Sequence, residues 1–437
     1  MSEARHPMEW RRQRVQAEPT RTAGRVECPW LWPARSGTDE VTRVGGSAVA
    51  RRMTILIVVL VLVVGACGGG DDTGDGMVGL LATLPDTADT RQEIILNDFA
   101  AVGELLGIDS PGRNATRDDL IEYFLALAMG DGAEPGSLDD LDPAERRARS
   151  THVWSVPRGF NFEYLGFDEY LEEWYTAFGL SILDVDREAT AGRPPGEVYV
   201  WEGDLDSPAI EAAVTSDPVW SADLNAYSHS SGYDYWCWGD DPLAMNFDRR
   251  DLVRDLGRGG CLAAFDGMVI RTISRESMQA TLTTAGGNAG SLADVEALSL
   301  AAGALDEAGT YAAYFSMDVD GFSAGSFQAV PDAGGAGFLD RYQAVGLGAA
   351  LEADGTELLV VVFVYADDAT AAANAATFEA MITTGSSARW WKPWAEILTI
   401  RSIEARGRVV VGVFDADVMV RLWLEVPSSR DTLILWD

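Results

Sequence analysis

Apolar and polar positions alternate between two periods along this chain, and the order of those periods predicts its elements. Glu197-Val-Tyr-Val-Trp-Glu202 is rich in β-branched and aromatic residues and reads as a strand. Gly203-Asp204-Leu205-Asp206-Ser207-Pro208 follows as a helix start, with Ser207 at the N-cap and Pro208 at the first helical position. The helix then continues from Ala209 to Val214. Cys261 to Phe265 and Met268 to Ile273 flank Asp266-Gly267, a pattern that predicts a hairpin.

The same series returns later. Glu357 to Tyr365 is a continuous apolar strand, Asp367-Asp368 caps a helix from Ala369 to Ile382, and Leu398–Ala405 with Arg408–Phe414 form a hairpin around Arg406-Gly407. A leading strand precedes each series, Glu93–Asn97 in the first and Thr310–Phe315 in the second. Strand, strand–helix, then hairpin, twice over, predicts an α+β fold of two related halves, each a mainly antiparallel sheet with helices packed on it. Further helices are expected over Leu120–Met129, from Asp142-Pro143 and over Phe167–Phe178. The polar, small-residue break Gly286–Ser291 precedes a helix over Leu292–Leu305, so the halves are expected at 78–290 and 291–437.

Charge alters the picture more than length does. The 437 residues carry 33 Lys+Arg against 68 Asp+Glu. Ten arginines and six carboxylates lie before residue 67, leaving 23 basic and 62 acidic residues beyond it. Such a surface repels nucleic acid, whose binding needs cations lying along the phosphates. Lys392 is the only lysine, a composition that GC-rich coding and adaptation to salt both favour.

Residues 51–67 change the expected location. Arg51-Arg52 precedes an unbroken apolar run from Ile55 to Val64, and Gly65-Ala66 leads to Cys67. These are the charged, apolar and small-residue parts of a secretory signal, and the run is short of the roughly 20 residues a membrane-spanning helix needs. Val64-Gly65-Ala66-Cys67 resembles the bacterial lipobox. That resemblance implies cleavage before Cys67, lipidation of its thiol and attachment to the extracytoplasmic face of the membrane. The Gly/Asp-rich stretch 67–77 would then be a flexible tether. Residues 1–66 are expected to be this signal plus an over-extended start, a long n-region being the alternative. Cys237 and Cys261 are the two thiols left beyond the anchor. In an oxidising compartment such a pair suggests a disulfide, with two separate buried thiols as the other reading.

Candidate chemistry is sparse. Gly321-Phe322-Ser323-Ala324-Gly325 has the spacing of a nucleophile elbow, but no histidine follows His229, and that family of hydrolases needs one after its serine. Two histidines beyond the anchor cannot build a usual zinc site. Asp318-Val319-Asp320-Gly321 and Gly239-Asp240-Asp241 fall short of a calcium loop. No catalytic residue, metal or cofactor is therefore assigned. Tyr233, Tyr235, Trp236 and Trp238 crowd around Cys237 and are the candidate ligand-contact aromatics. Trp390, Trp391 and Trp394 form a second cluster. The expectation is a lipid-anchored envelope protein that binds an envelope component or a small ligand. A cell-wall glycan hydrolase using paired carboxylates, or the ligand-capturing part of an importer, are the alternatives.

Overall fold

The computed structural model describes residues 76–107, 179–216, 222–239, 245, 257–326, 337–352, 356–416 and 422–437. Cys67, the tether up to residue 75 and the helices expected at 120–129, 142 onward and 167–178 lie outside them, while Gly76 and Met77, expected to end the tether, begin a helix in which Met77 is buried. The described residues belong to one compact unit.

Among the described residues, twelve strands make a single sheet in which every neighbour pair is antiparallel. The early strands are β1 (Ile94–Asp98), β2 (Val185–Ala191), β3 (Val198–Gly203), β4 (Leu224–Ser228), β5 (Asp234–Trp238), β6 (Gly260–Phe265) and β7 (Met268–Thr272). The later ones are β8 (Thr310–Ser316), β9 (Ala344–Leu351), β10 (Glu357–Val364), β11 (Leu398–Arg406) and β12 (Val409–Ala416). From the central pair β1–β8, one arm runs β1-β2-β3-β7-β6-β5-β4 and the other β8-β9-β10-β12-β11. In each arm the third strand leads into a helix, Ser207–Ser216 (α3) or Asp368–Thr384 (α6), and a later hairpin returns to pair with that third strand.

Local chemistry explains several boundaries. The side chain of Asp206, one residue before the expected cap, accepts from the Ala209 amide at 3.1 Å and closes the start of α3. Asp367 does the same for α6, accepting from the Thr370 amide at 2.8 Å. Asp266 (φ 48°) and Gly267 (φ 75°) both sit in the left-handed region that a two-residue hairpin of this twist requires. Past the break at Gly286, a short 3-10 turn over Leu292–Asp294 precedes the expected helix, which runs from Glu296 to Glu307 (α5).

Because side chains alternate along a strand, the sheet has two distinct faces. On one, Gly76–Ala82 (α1), Arg275–Ala285 (α4) and α5 bury Met77, Leu80, Met278, Leu282, Leu298 and Leu305 against Leu96, Ala189, Val200, Ile270, Ala313 and Val362. On the other, α6 and Leu422–Ser429 (α7) bury Phe378, Met381, Trp423 and Val426 against Leu347, Val361, Phe363 and Phe414. No helix among the described residues is long and apolar enough to cross a membrane.

Candidate functional site

The second face changes character where it crosses β1, β2 and β3. Over β9, β10 and β12 it is apolar, whereas here the ladder sets polar groups opposite one another. Asn97 pairs in register with Glu188, and Glu188 with Trp201. Glu188 is 0% exposed, and its carboxylate accepts from Asn97 Nδ2 at 3.0 Å and from Trp201 Nε1 at 3.1 Å. Burying a carboxylate costs several kcal/mol unless donors surround it, and these two donors are held in place by the strand register.

One row along, Ile95 faces Thr190, Thr190 faces Tyr199, and Tyr199 faces Arg271. Thr190 is 5% exposed, and its hydroxyl has no hydrogen-bond partner. A buried polar atom in that condition is uncommon in folded proteins and calls for an explanation. The guanidinium of Arg271 lies 5.4 Å from the centre of the Tyr199 ring. Burial, and next the charge of Glu197, hold the Tyr199 phenol well above the ordinary tyrosine range.

The next row opens into a cavity. Gly192 and Glu197 extend β2 and β3 past their last ladder pair, and Glu93 lies just before β1, its carbonyl accepting from the Gly192 amide at 2.8 Å. Gly192 has φ 94°, and a Cβ there would lie 2.9 Å from the Gly196 carbonyl oxygen, so the middle of the row carries no side chain. Glu93, Ile95, Thr190, Gly192, Glu197 and Tyr199 line a cavity of about 120 Å³ in the space this leaves. Arg193 stands at its edge, with Nη1 2.7 Å from Asp318 and Nε 4.0 Å from Glu93. Beside Ile95 on β8, burial and then the Glu93 charge raise the Tyr314 phenol likewise.

This chain matches no known protein family, no curated protein and no solved structure. Its site must be argued from its own geometry.

The sequence-derived candidates lie elsewhere. Cys237 and Cys261 face each other across β5 and β6 and form a disulfide. Of the candidate ligand-contact aromatics, Tyr235, Trp236 and Trp238 are buried. Tyr235 joins Cys237 and Cys261 in the core, stacks on Tyr227 at 5.3 Å and accepts from Arg275 Nε at 3.1 Å. Trp236 and Trp238 turn to the opposite face, where Trp238 Nε1 donates to the Arg258 carbonyl at 3.2 Å. Tyr233 is half-buried and stacks on Phe265 with centroids 3.9 Å apart. The alternation of a strand divides this cluster between the two faces of the sheet and leaves little ring surface for a ligand.

The other tryptophan cluster is likewise divided. Trp394 is buried and donates to Thr432, while Trp391 is 87% exposed with φ 54°. The loop leading into the cluster is held by buried Asp431, which accepts from Ser387 Oγ at 2.5 Å and the Ala388 amide at 2.7 Å. Asp318 pairs with Arg193 and Asp320 with Arg341. Ser323 sits between two short 3-10 turns rather than on a strand–helix elbow. No group of three or more His, Cys, Asp or Glu able to hold a metal occurs among the described residues.

Sequence reasoning missed the cavity residues Glu93, Thr190, Gly192, Glu197 and Tyr199 as a site. The available signal was the carboxylate at the start of each of two expected strands. The strand that lies between them, β2, was not expected.

Proposed function

We propose that this chain is an exported bacterial lipoprotein, anchored to the membrane through Cys67, whose sheet domain binds a small polar ligand in the cavity between Glu93 and Glu197. The observation that carries the binding reading is the buried Thr190 hydroxyl without a partner at the wall of a cavity flanked by two carboxylates. An unpaired buried hydroxyl costs about 1–3 kcal/mol, and a ligand that donates to it removes that cost.

Support for the anchor comes from the ordered signal segments ending in Cys67. The Cys237–Cys261 disulfide agrees with folding in an oxidising compartment. The two arms of the sheet are read as copies of one strand–strand–strand–helix–hairpin unit. In this reading the first arm has kept polar groups on the face that the second arm fills with apolar side chains.

A hydrolase of cell-wall glycan is the second reading, because Glu93 and Glu197 line one cavity and such enzymes work with paired carboxylates. The two readings part on turnover. Incubation with cell-wall glycan releases no sugar if the cavity only binds, and releases sugar in a Glu197-dependent manner if it hydrolyses. Labelling cells with a fatty-acid analogue tests the anchor: wild type should carry the label and Cys67→Ser should not. An unlabelled wild-type chain would overturn the lipoprotein reading.

A further inference from the structure

We infer that the turn between β4 and β5 is a proton-operated latch: neutral His229 fastens it to α4, and protonation of His229 releases it. The hairpin lies along one stripe of α4, where Arg275, Gln279 and Thr283 recur at the four-residue spacing that aligns side chains on a helix. The Arg275 guanidinium lies 3.9 Å from the centre of the Tyr227 ring. Arg275 Nε and Gln279 Nε2 both donate to the Tyr235 hydroxyl, at 3.1 and 3.2 Å. One turn further on, Thr283 Oγ1 lies 3.3 Å from Nε2 of half-buried His229. Ser231 completes the contact, its Oγ donating to the Leu282 carbonyl at 3.4 Å. Gly286 makes room for it, since a Cβ there would collide with Ser231 Oγ.

The order of hydrogen bonds places the imidazole proton. Thr283 donates its hydroxyl hydrogen to the Gln279 carbonyl at 2.6 Å, so its oxygen can only accept from His229, and Nε2 carries a hydrogen. The Ser231 amide donates to Nδ1 at 3.2 Å, so Nδ1 carries none. The network thus assigns His229 the neutral Nε2–H tautomer. A proton added at Nδ1 turns that acceptor into a donor and sets two N–H groups against each other. The ring then has to turn away from Ser231, which breaks its bond to Thr283 as well. The titratable groups on the two elements packed here are Tyr227, Tyr233, Asp234 and Tyr235 of the hairpin and Arg275 and Glu276 of α4. Asp234 accepts from Ser228 Oγ at 2.6 Å, and neither partner of the ring is a carboxylate. Histidine changes charge between about pH 5 and 8, so the latch is closed in neutral solution and opens as the surroundings become acid.

The test is hydrogen exchange of the full-length protein in detergent at pH 7.5 and pH 5, with rates normalised to those of the unstructured chain at each pH. Protection across 229–232 should fall about fivefold at the lower pH, the worth of one hydrogen bond, while β9 and β10 keep theirs. His229→Asn offers a side-chain oxygen to the Ser231 amide and takes up no proton in this range, so its protection should be the same at both values. Asp234→Asn should leave the wild-type loss in place. Equal protection of the wild-type turn at both pH values, or the same loss in His229→Asn, would overturn the inference. A second measurement needs no variant. The chain has three histidines, so labelling them with 15N lets nuclear magnetic resonance read the tautomer of His229 at pH 7.5. The Nε2–H form is the expected result, and an Nδ1–H form would overturn the latch.

Discussion

Replacing Glu188 by leucine probes the polar part of the sheet most sharply. The side chain is fully buried, and its carboxylate accepts from Asn97 Nδ2 at 3.0 Å and Trp201 Nε1 at 3.1 Å. Leucine fills similar volume and accepts nothing, so both donors lose the carboxylate that accepts from them, at about 1–3 kcal/mol each. Leucine also removes the cost of burying a carboxylate, which offsets part of that loss. The net expectation is destabilisation of about 3 kcal/mol, roughly a hundredfold in the folded-to-unfolded ratio. Urea denaturation followed by tryptophan fluorescence reads the change as a lower midpoint with unchanged slope. The triple variant Glu188→Leu, Asn97→Leu, Trp201→Phe removes the donors as well and should recover most of the loss, because a wholly apolar replacement is often neutral. A single variant as stable as wild type would refute the reasoning, since the carboxylate would then not be what satisfies Asn97 and Trp201.

Other consequences can be measured directly. Changing Cys237 and Cys261 to alanine releases a cross-link with a sequence separation of 24 and should cost about 3 kcal/mol in the chain-entropy model, read as a lower urea midpoint. Asp431→Ala removes the acceptor for Ser387 Oγ and the Ala388 and Thr432 amides, so hydrogen exchange across 386–393 should accelerate well before global unfolding. Tyr199, Tyr314, Tyr342 and Tyr365 all titrate above the ordinary tyrosine value of 10.0, each mainly through burial. The unfolded chain therefore releases these protons first. Stability should be flat in this respect below pH 10 and fall above it by about 1.4 kcal/mol per pH unit for each phenol. Tyr365→Phe should shallow that slope in denaturation curves taken between pH 9 and 11.

Strands with one clear pattern were legible from sequence. The run Glu357–Val364 is almost wholly apolar and lies in the middle of its arm, buried from both sides. The Asp266-Gly267 hairpin declares itself through turn chemistry. Other strands gave no such signal. In β9, Gly346 and Gly348 lower strand propensity, and only the structure shows why they fit: a Cβ at Gly348 would lie 2.7 Å from Thr310 Cγ2. In β2, Asp186, Arg187 and Glu188 read as surface, yet Glu188 is buried through partners about 90 and 13 residues distant. The cavity depends on that strand. Glu93 and Thr190 are far apart in sequence and meet only through the β1–β2 register, in which Ile95 faces Thr190. The aromatic cluster misled for a related reason. Tyr-Trp-Cys-Trp looks like one patch in sequence, but consecutive residues of a strand face opposite ways.

Native mass spectrometry of the protein extracted from its own membranes tests the central claim most directly. A lipid-modified chain beginning at Cys67 and carrying a small molecule, lost in the Glu93→Gln, Glu197→Gln double variant, is the predicted result. A bare chain, or a bound molecule retained unchanged by the double variant, would contradict the assignment of this cavity as the binding site.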